Sequence, residues 1–210
     1  ILDFYKSQAK NSTQSYNVTP EIRMLYNPQL KGAPNFVPGV MALILLIVCV
    51  MMTAIAIVKE KETGTMEILL VSPMKPSFVI IAKAVPYFIL SMLIVLVILI
   101  LSYFLLDLPI KGSLILLLFV STIFILTNLL IGILISIFVK TQQQAMLISL
   151  IATMLPTLML SGFMFPIENM PIPLQVVSNI IPAKWYYIMI KNIMIKGTGI
   201  VIIWKPFLVL

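Results

Sequence analysis

The sequence predicts an all-α membrane protein, a polytopic helical bundle with four complete spans and a partial fifth. Three observations carry this expectation. Of the 210 residues, 61% are hydrophobic and 10% are charged, whereas a soluble domain averages about 45–50% apolar and about 25% charged residues. Mean hydropathy is +1.13. The apolar residues are also gathered into uncharged runs of about twenty, the number a helix rising about 1.5 Å per residue needs to cross a hydrocarbon core of roughly 30 Å.

Residues 1–36 form the longest polar stretch and begin without a Met, a basic n-region or a cleavage site, so a piece of a longer chain is expected. Asn11-Ser12-Thr13 and Asn17-Val18-Thr19 fit the glycosylation pattern, which is short enough to arise by chance. Gly39 to Val58 is uncharged throughout and reads as the first span. Further spans are expected within Ala84 to Leu106, Leu114 to Val139 and Ala145 to Phe165. The connectors Asp107 to Ser113 and Lys140 to Gln144 are short, so consecutive helices should be antiparallel neighbours.

After Phe165 the pattern changes to a Pro-rich stretch, Pro166 to Pro173, and two pieces too short to cross, Leu174 to Ile181 and Ala183 to Ile195. Trp185, Tyr186 and Tyr187 with Lys184, Lys191 and Asn192 resemble an interfacial helix, since rings and Lys heads favour the headgroup boundary. A short re-entrant or surface-lying helical hairpin is expected. Ile200 to Leu210 carries Lys205 and Pro206 and is too short to span. It is expected to begin a further span.

The residue inventory excludes several function classes. There is no His, and the acidic residues are Asp3, Glu21, Glu60, Glu62, Glu67, Asp107 and Glu168. Metal and nucleophilic sites usually need several converging ligands or a base, normally His, so neither catalytic nor metal-binding residues are assigned. The single Cys49 lies inside an apolar run. The net charge of +7 is scattered singly among the spans rather than gathered on one polar element, which argues against nucleic acid. The spans carry Ser91, Ser121, Thr122, Thr127, Asn128 and Ser136 but no Asp, Glu or Arg at hydrocarbon depth. A self-sufficient ion-coupled carrier is therefore disfavoured. Lys83 stands at the start of its span, where its stem can snorkel, and Pro86 after it either kinks the helix or sits in its first turn. No segment fits the P-loop pattern, so nucleotide chemistry would have to come from another polypeptide.

One segment suits that arrangement, Lys59-Glu60-Lys61-Glu62-Thr63-Gly64-Thr65-Met66-Glu67-Ile68-Leu69-Leu70-Val71-Ser72-Pro73. It holds three acidic residues within eight positions. Gly64 can serve as a helix N-cap with Glu67 in the first turn, where a carboxylate is favoured. Met66, Leu69 and Leu70 fall on one face, and Pro73 and Pro76 stop the helix. Such a helix fits a partner's groove; a solvated juxtamembrane loop fits equally well. On the residues alone, a permease powered from outside, a non-transporting membrane scaffold and, less favoured, an intramembrane enzyme all stay open.

This run resembles the E-x-E-x-G-T-x-E-x-L-x-x-(S/T)-P signature of type-2 ABC transporter permeases, the membrane subunits of ABC exporters. Similar stretches follow the family's order: Tyr26-Asn27-Pro28 with Asn35 to Gly39, Pro109 to Ser113, Thr141 to Ala145, and Leu160 to Pro171. The resemblance runs from about Tyr26 to the end. It implies six spans in a full-length chain, with residues 1–36 ending an extracytoplasmic domain and 37–210 belonging to the transmembrane domain. Within that domain 59–77 would be a cytoplasmic coupling loop and 166–199 external re-entrant helices. It further implies that Glu60, Glu62, Gly64, Thr65, Met66, Glu67 and Leu69 couple to a separate ABC ATPase subunit, and that Gly162, Phe163 and Pro166 build an external gate. ATP and Mg would be bound by that partner, leaving no cofactor in this chain. A second permease copy or close relative, a lipid bilayer and a bacterial inner-membrane setting complete the expectation. The count of Lys and Arg on either side opposes this orientation, so composition alone leaves it open.

Overall fold

A computed structural model describes residues 32–66, 76–106, 108 and 111–198. Glu67 and Leu69, and the partial span expected at Ile200 to Leu210, lie outside these residues. Among the described residues every regular element is helical. Four helices are long and apolar enough to cross a membrane: α1 (Pro34–Glu62), α2 (Pro76–Leu106), α3 (Leu114–Phe138) and α4 (Gln142–Leu160). A 3-10 turn at Ile167–Asn169, the short α5 (Ile172–Ser178) and α6 (Pro182–Lys191) follow. A wider π-helical turn, Asn192–Lys196, extends α6.

The four expected spans are all present; α1 and α2 outrun the apolar cores that announce them, α3 keeps to its core, and α4 starts at Gln142 but stops at Leu160, short of the expected Phe165. α1 continues through Lys59, Glu60, Lys61 and Glu62, all good helix formers, so residues expected in a loop sit in its last turn. α2 begins at Pro76, a residue suited to the first helical position, which leaves Pro86 inside the helix. There it cannot donate to the Ala82 carbonyl. Ser113 caps α3 by accepting from the Leu116 N–H at 3.5 Å, and Thr141 caps α4 by accepting from the Gln144 N–H at 3.3 Å. The extended residues Val139 and Thr141 turn the chain sharply between α3 and α4.

α1 and α3 are the more enclosed spans, while α2 and α4 keep most of their apolar surface facing outward, as lipid-facing helices do. The α1–α3 seam is close because Gly132 lies against the Val50 carbonyl, inside a π-helical turn at Ile47–Met51. Small residues permit such backbone approach in membranes, where packing rather than hydrophobicity joins helices. Most polar side chains of the spans bond within their own helix. Thr122 donates to the Leu118 carbonyl, Thr127 to that of Ile123, and the Asn128 amide to that of Phe124. Bonds between elements are made by Cys49 with Ser91 at 3.0 Å, by Ser121 with the Tyr186 hydroxyl at 2.9 Å, and by Thr122, which also donates to the Met92 sulfur at 3.7 Å.

α6 departs from the interfacial expectation. Tyr186 is fully buried, stacked on Phe124 at 4.0 Å with the planes 6° apart, and Lys184, Tyr187, Met189 and Ile190 are buried too. α6 packs against α1 and α3. The two tyrosines bury large ring areas there, and Ser121 satisfies the Tyr186 hydroxyl. Trp185, Lys191 and Asn192 are half-buried. The π-turn that ends α6 reaches the α2–α3 connector, where the Lys111 N–H donates to the Met194 carbonyl at 3.2 Å. The bundle thus has a hairpin end, carrying α5 and α6, and a loop end, where α1 stops and α4 begins.

Candidate functional site

The loop end gathers the expected coupling residues. A helix C-terminus carries partial negative charge, which makes Glu60 and Glu62 ill-suited to the last turn of α1 unless cations or donors meet them. Both are met. Glu60 accepts from the Lys83 ammonium of α2 at 2.6 Å and from the Thr65 hydroxyl. Glu62 accepts from the Gln142 backbone N–H at 2.9 Å and from its side-chain amide at 3.0 Å. Gln142 opens α4, so the carboxylate takes up a free N–H at the positive end of that helix. Between them Lys61 donates to the Ser136 carbonyl of α3. That carbonyl belongs to the last turn of α3, and the Lys140 N–H that would have capped it donates to the Gln144 side chain at 3.2 Å. Lys61 and Glu62 therefore each face a helix end of opposite sign, while Glu60 is met by the Lys83 side chain within α2.

Successive helical side chains diverge by about 100°, and this fan points Glu60, Lys61 and Glu62 at three different neighbours. Gly64 follows with φ +74°, a left-handed conformation that closes α1 and redirects the chain. Helical geometry resumes at Thr65 and Met66. The Thr65 hydroxyl also lies 3.0 Å from that of Thr63, so the resumed segment is fastened back to the end of α1. Gly64 thus stands just before the expected coupling helix and at the same time ends the first span. Met66 is half-buried.

Sequence reading missed Lys83, Gln142 and Ser136 as partners. Lys83 keeps the partial exposure of a snorkelling side chain, but its head is held by a residue 23 positions earlier. Once α1 is seen to run through Glu62, acidic residues in its last turn call for partners, but the sequence alone places them in a loop. A crevice of about 460 Å³ with mixed polar and apolar walls opens at the Glu60–Lys83 pair, which lines it together with Ala56, Lys59, Ala82, Pro86 and Tyr87.

At the hairpin end Gly162 has φ +82°, and Phe163 packs its ring on Gly39 of α1 between Phe36 and Tyr187, with centroids at 6.1 and 6.2 Å. Pro166 is exposed and precedes the 3-10 turn. The structure brings Phe163 against α1 and α6, sets Gly162 beside Ile167 of the 3-10 turn, and leaves Pro166 at the surface. Nearby, Lys184 is buried and donates to Ser178 at 2.9 Å and Asn179 at 2.6 Å, with its ammonium over the Trp185 ring. Burial pushes its pKa below the ordinary lysine value.

The family described as ABC-2 family transporter protein matches residues 3–210. Among curated proteins the chain is similar to "Probable multidrug ABC transporter permease YbhS" and to YbhR, a protein of the same description, both of Escherichia coli K12. It is 32% and 35% identical to them, in each case over 90% of this chain and 51% and 52% of theirs. It is also 34% identical to "Inner membrane transport permease YhhJ" of the same organism, over 92% of this chain and 52% of that protein. The chain thus spans about half the length of the curated relatives it matches. No solved structure matches it significantly. With four membrane-length helices and a family match over nearly its whole length, the chain belongs to the ABC-2 family of transporter proteins, as a permease-type, multi-pass protein of the cell membrane.

Proposed function

We propose that this chain forms part of an ATP-driven exporter, in which a separate ATPase subunit binds ATP and Mg and works through the segment from Lys59 to Ser72. The observation that carries this reading is the construction of the loop end. The segment after Gly64 is tied by Thr65 to Glu60 of α1 and through that carboxylate to Lys83 of α2, and Glu62 ties the same end of α1 to α4, so a push on the segment reaches the bundle. Glu60, Glu62, Gly64 and Thr65 anchor and aim the segment, while Met66, Glu67 and Leu69 make the docking contact. Gly162, Phe163 and Pro166 belong to the gate on the opposite side. Two copies, or this chain and a close relative, form the transport unit in a bacterial inner membrane. The relatives named as multidrug permeases support an amphiphilic or bulky substrate.

The test is co-purification of the full-length permease with the ATPase of its own transport system, followed by an ATP hydrolysis assay. Charge reversal at Glu67 together with Leu69→Asp is expected to abolish association. An association that survives both changes sinks the docking assignment.

A further inference from the structure

We propose that Lys83 and Gln142 are positioning residues of the coupling step, holding α2 and α4 to the end of α1 so that one displacement moves all four spans. This rests on the permease reading above. Three adjacent residues of α1 each bond a different spanning helix: Glu60 reaches Lys83 of α2, Lys61 reaches Ser136 of α3, and Glu62 reaches Gln142 of α4. The partners are 23, 75 and 80 positions away in the chain.

Stability does not account for this arrangement. Exposed ion pairs and hydrogen bonds contribute little to folding, and Glu62 is exposed while Lys83 is 40% exposed. Their effect is geometric. α2 has the least enclosed membrane face after α4, so these two outer helices depend most on a fixed contact to follow α1. The Glu60 carboxylate joins both parts of the linkage: one oxygen meets Lys83, and the other meets Thr65 beyond the Gly64 turn. Displacing the segment after Gly64 therefore pulls on α2 through a single side chain. The contact to α4 is doubled, because Gln142 offers its backbone N–H as well as its amide. Loss of the amide alone should weaken that linkage less than loss of Lys83 weakens the other.

The experiment uses the full-length permease with its ATPase in lipid nanodiscs, comparing wild type, K83Q, K83R, E60Q, E60Q/K83Q and Q142A. Three quantities are read: complex assembly, melting temperature and permease-dependent ATP hydrolysis. K83Q is expected to lower that hydrolysis about three- to fivefold, the upper part of the range an exposed ion pair carries in an equilibrium. Assembly and melting temperature should stay at wild-type values, K83R should retain most activity, and the double variant should lose no more than the worse single one. Q142A should lose less than K83Q. The proposal is overturned if K83Q stimulates the ATPase like wild type, if the E60Q and K83Q losses multiply, or if the loss only follows a fall in assembly or melting temperature. A wild-type permease that neither binds nor stimulates the ATPase would instead refute the permease reading itself.

Discussion

Gly132→Ala tests how tightly the two central spans are packed. A methyl at that position would lie 2.7 Å from the Val50 carbonyl oxygen, 3.1 Å from the Thr53 Cβ and 3.2 Å from the Val50 Cα. An ordinary carbon–oxygen contact begins at about 3.3 Å, so α1 and α3 must separate by roughly half an ångström. Backbone is on both sides, and no rotamer change relieves the overlap. Alanine gains up to about 1 kcal/mol in helix propensity, while overpacking costs about 1–3 kcal/mol. The widened seam also forfeits a quarter or more of its local dispersion energy. A net loss of about 1–2 kcal/mol follows, read as a melting temperature lower by roughly 2–6 °C in detergent. Gly32→Ala is the control, because nothing lies within 4 Å of its Cβ position. A Gly132→Ala protein that melts at or above wild type would refute the close seam.

Three further outcomes follow from the same contacts. Tyr186→Phe and Ser121→Ala should each cost about 0.6–1 kcal/mol by thermal melting, and the double variant less than their sum, since each single change strands one hydroxyl. Gly64→Val should cost about 1–2 kcal/mol in the left-handed turn while Gly64→Asn costs less, with permease-dependent ATP hydrolysis falling in that order. Lys184 has its pKa lowered by burial, so between the folded value and the ordinary 10.5 the unfolded chain binds more protons than the folded one. Stability then rises with pH across that alkaline window, and Lys184→Met should remove this rise when the pH–melting curves of the two proteins are subtracted.

The spans were legible because one simple quantity, an uncharged length near twenty residues, decides whether a helix can cross a bilayer. Helix ends were less legible, since charged residues such as Glu60 and Glu62 are good helix formers and nothing local halts them before Gly64. Partners distant in sequence were illegible. Lys83 reads as a snorkelling lysine until the fold brings α2 beside the end of α1. Aromatic residues misled for a related reason: Tyr186 and Tyr187 suit a headgroup boundary and a packed seam equally, and only the place of α6 against α1 and α3 decides. The π-helical turns at Ile47–Met51 and Leu150–Met154 left no mark in apolar runs that would suit any helix.

The sidedness of the loop end tests the account most directly. In a full-length protein with every native cysteine, the buried Cys49 included, replaced by Ser, single cysteines at Thr63 and at Met164 would be treated with a membrane-impermeant maleimide. Thr63→Cys should react only after the membrane is opened, and Met164→Cys should react in intact cells. Labelling of Thr63→Cys from outside would contradict a segment driven by an ATPase in the cytoplasm.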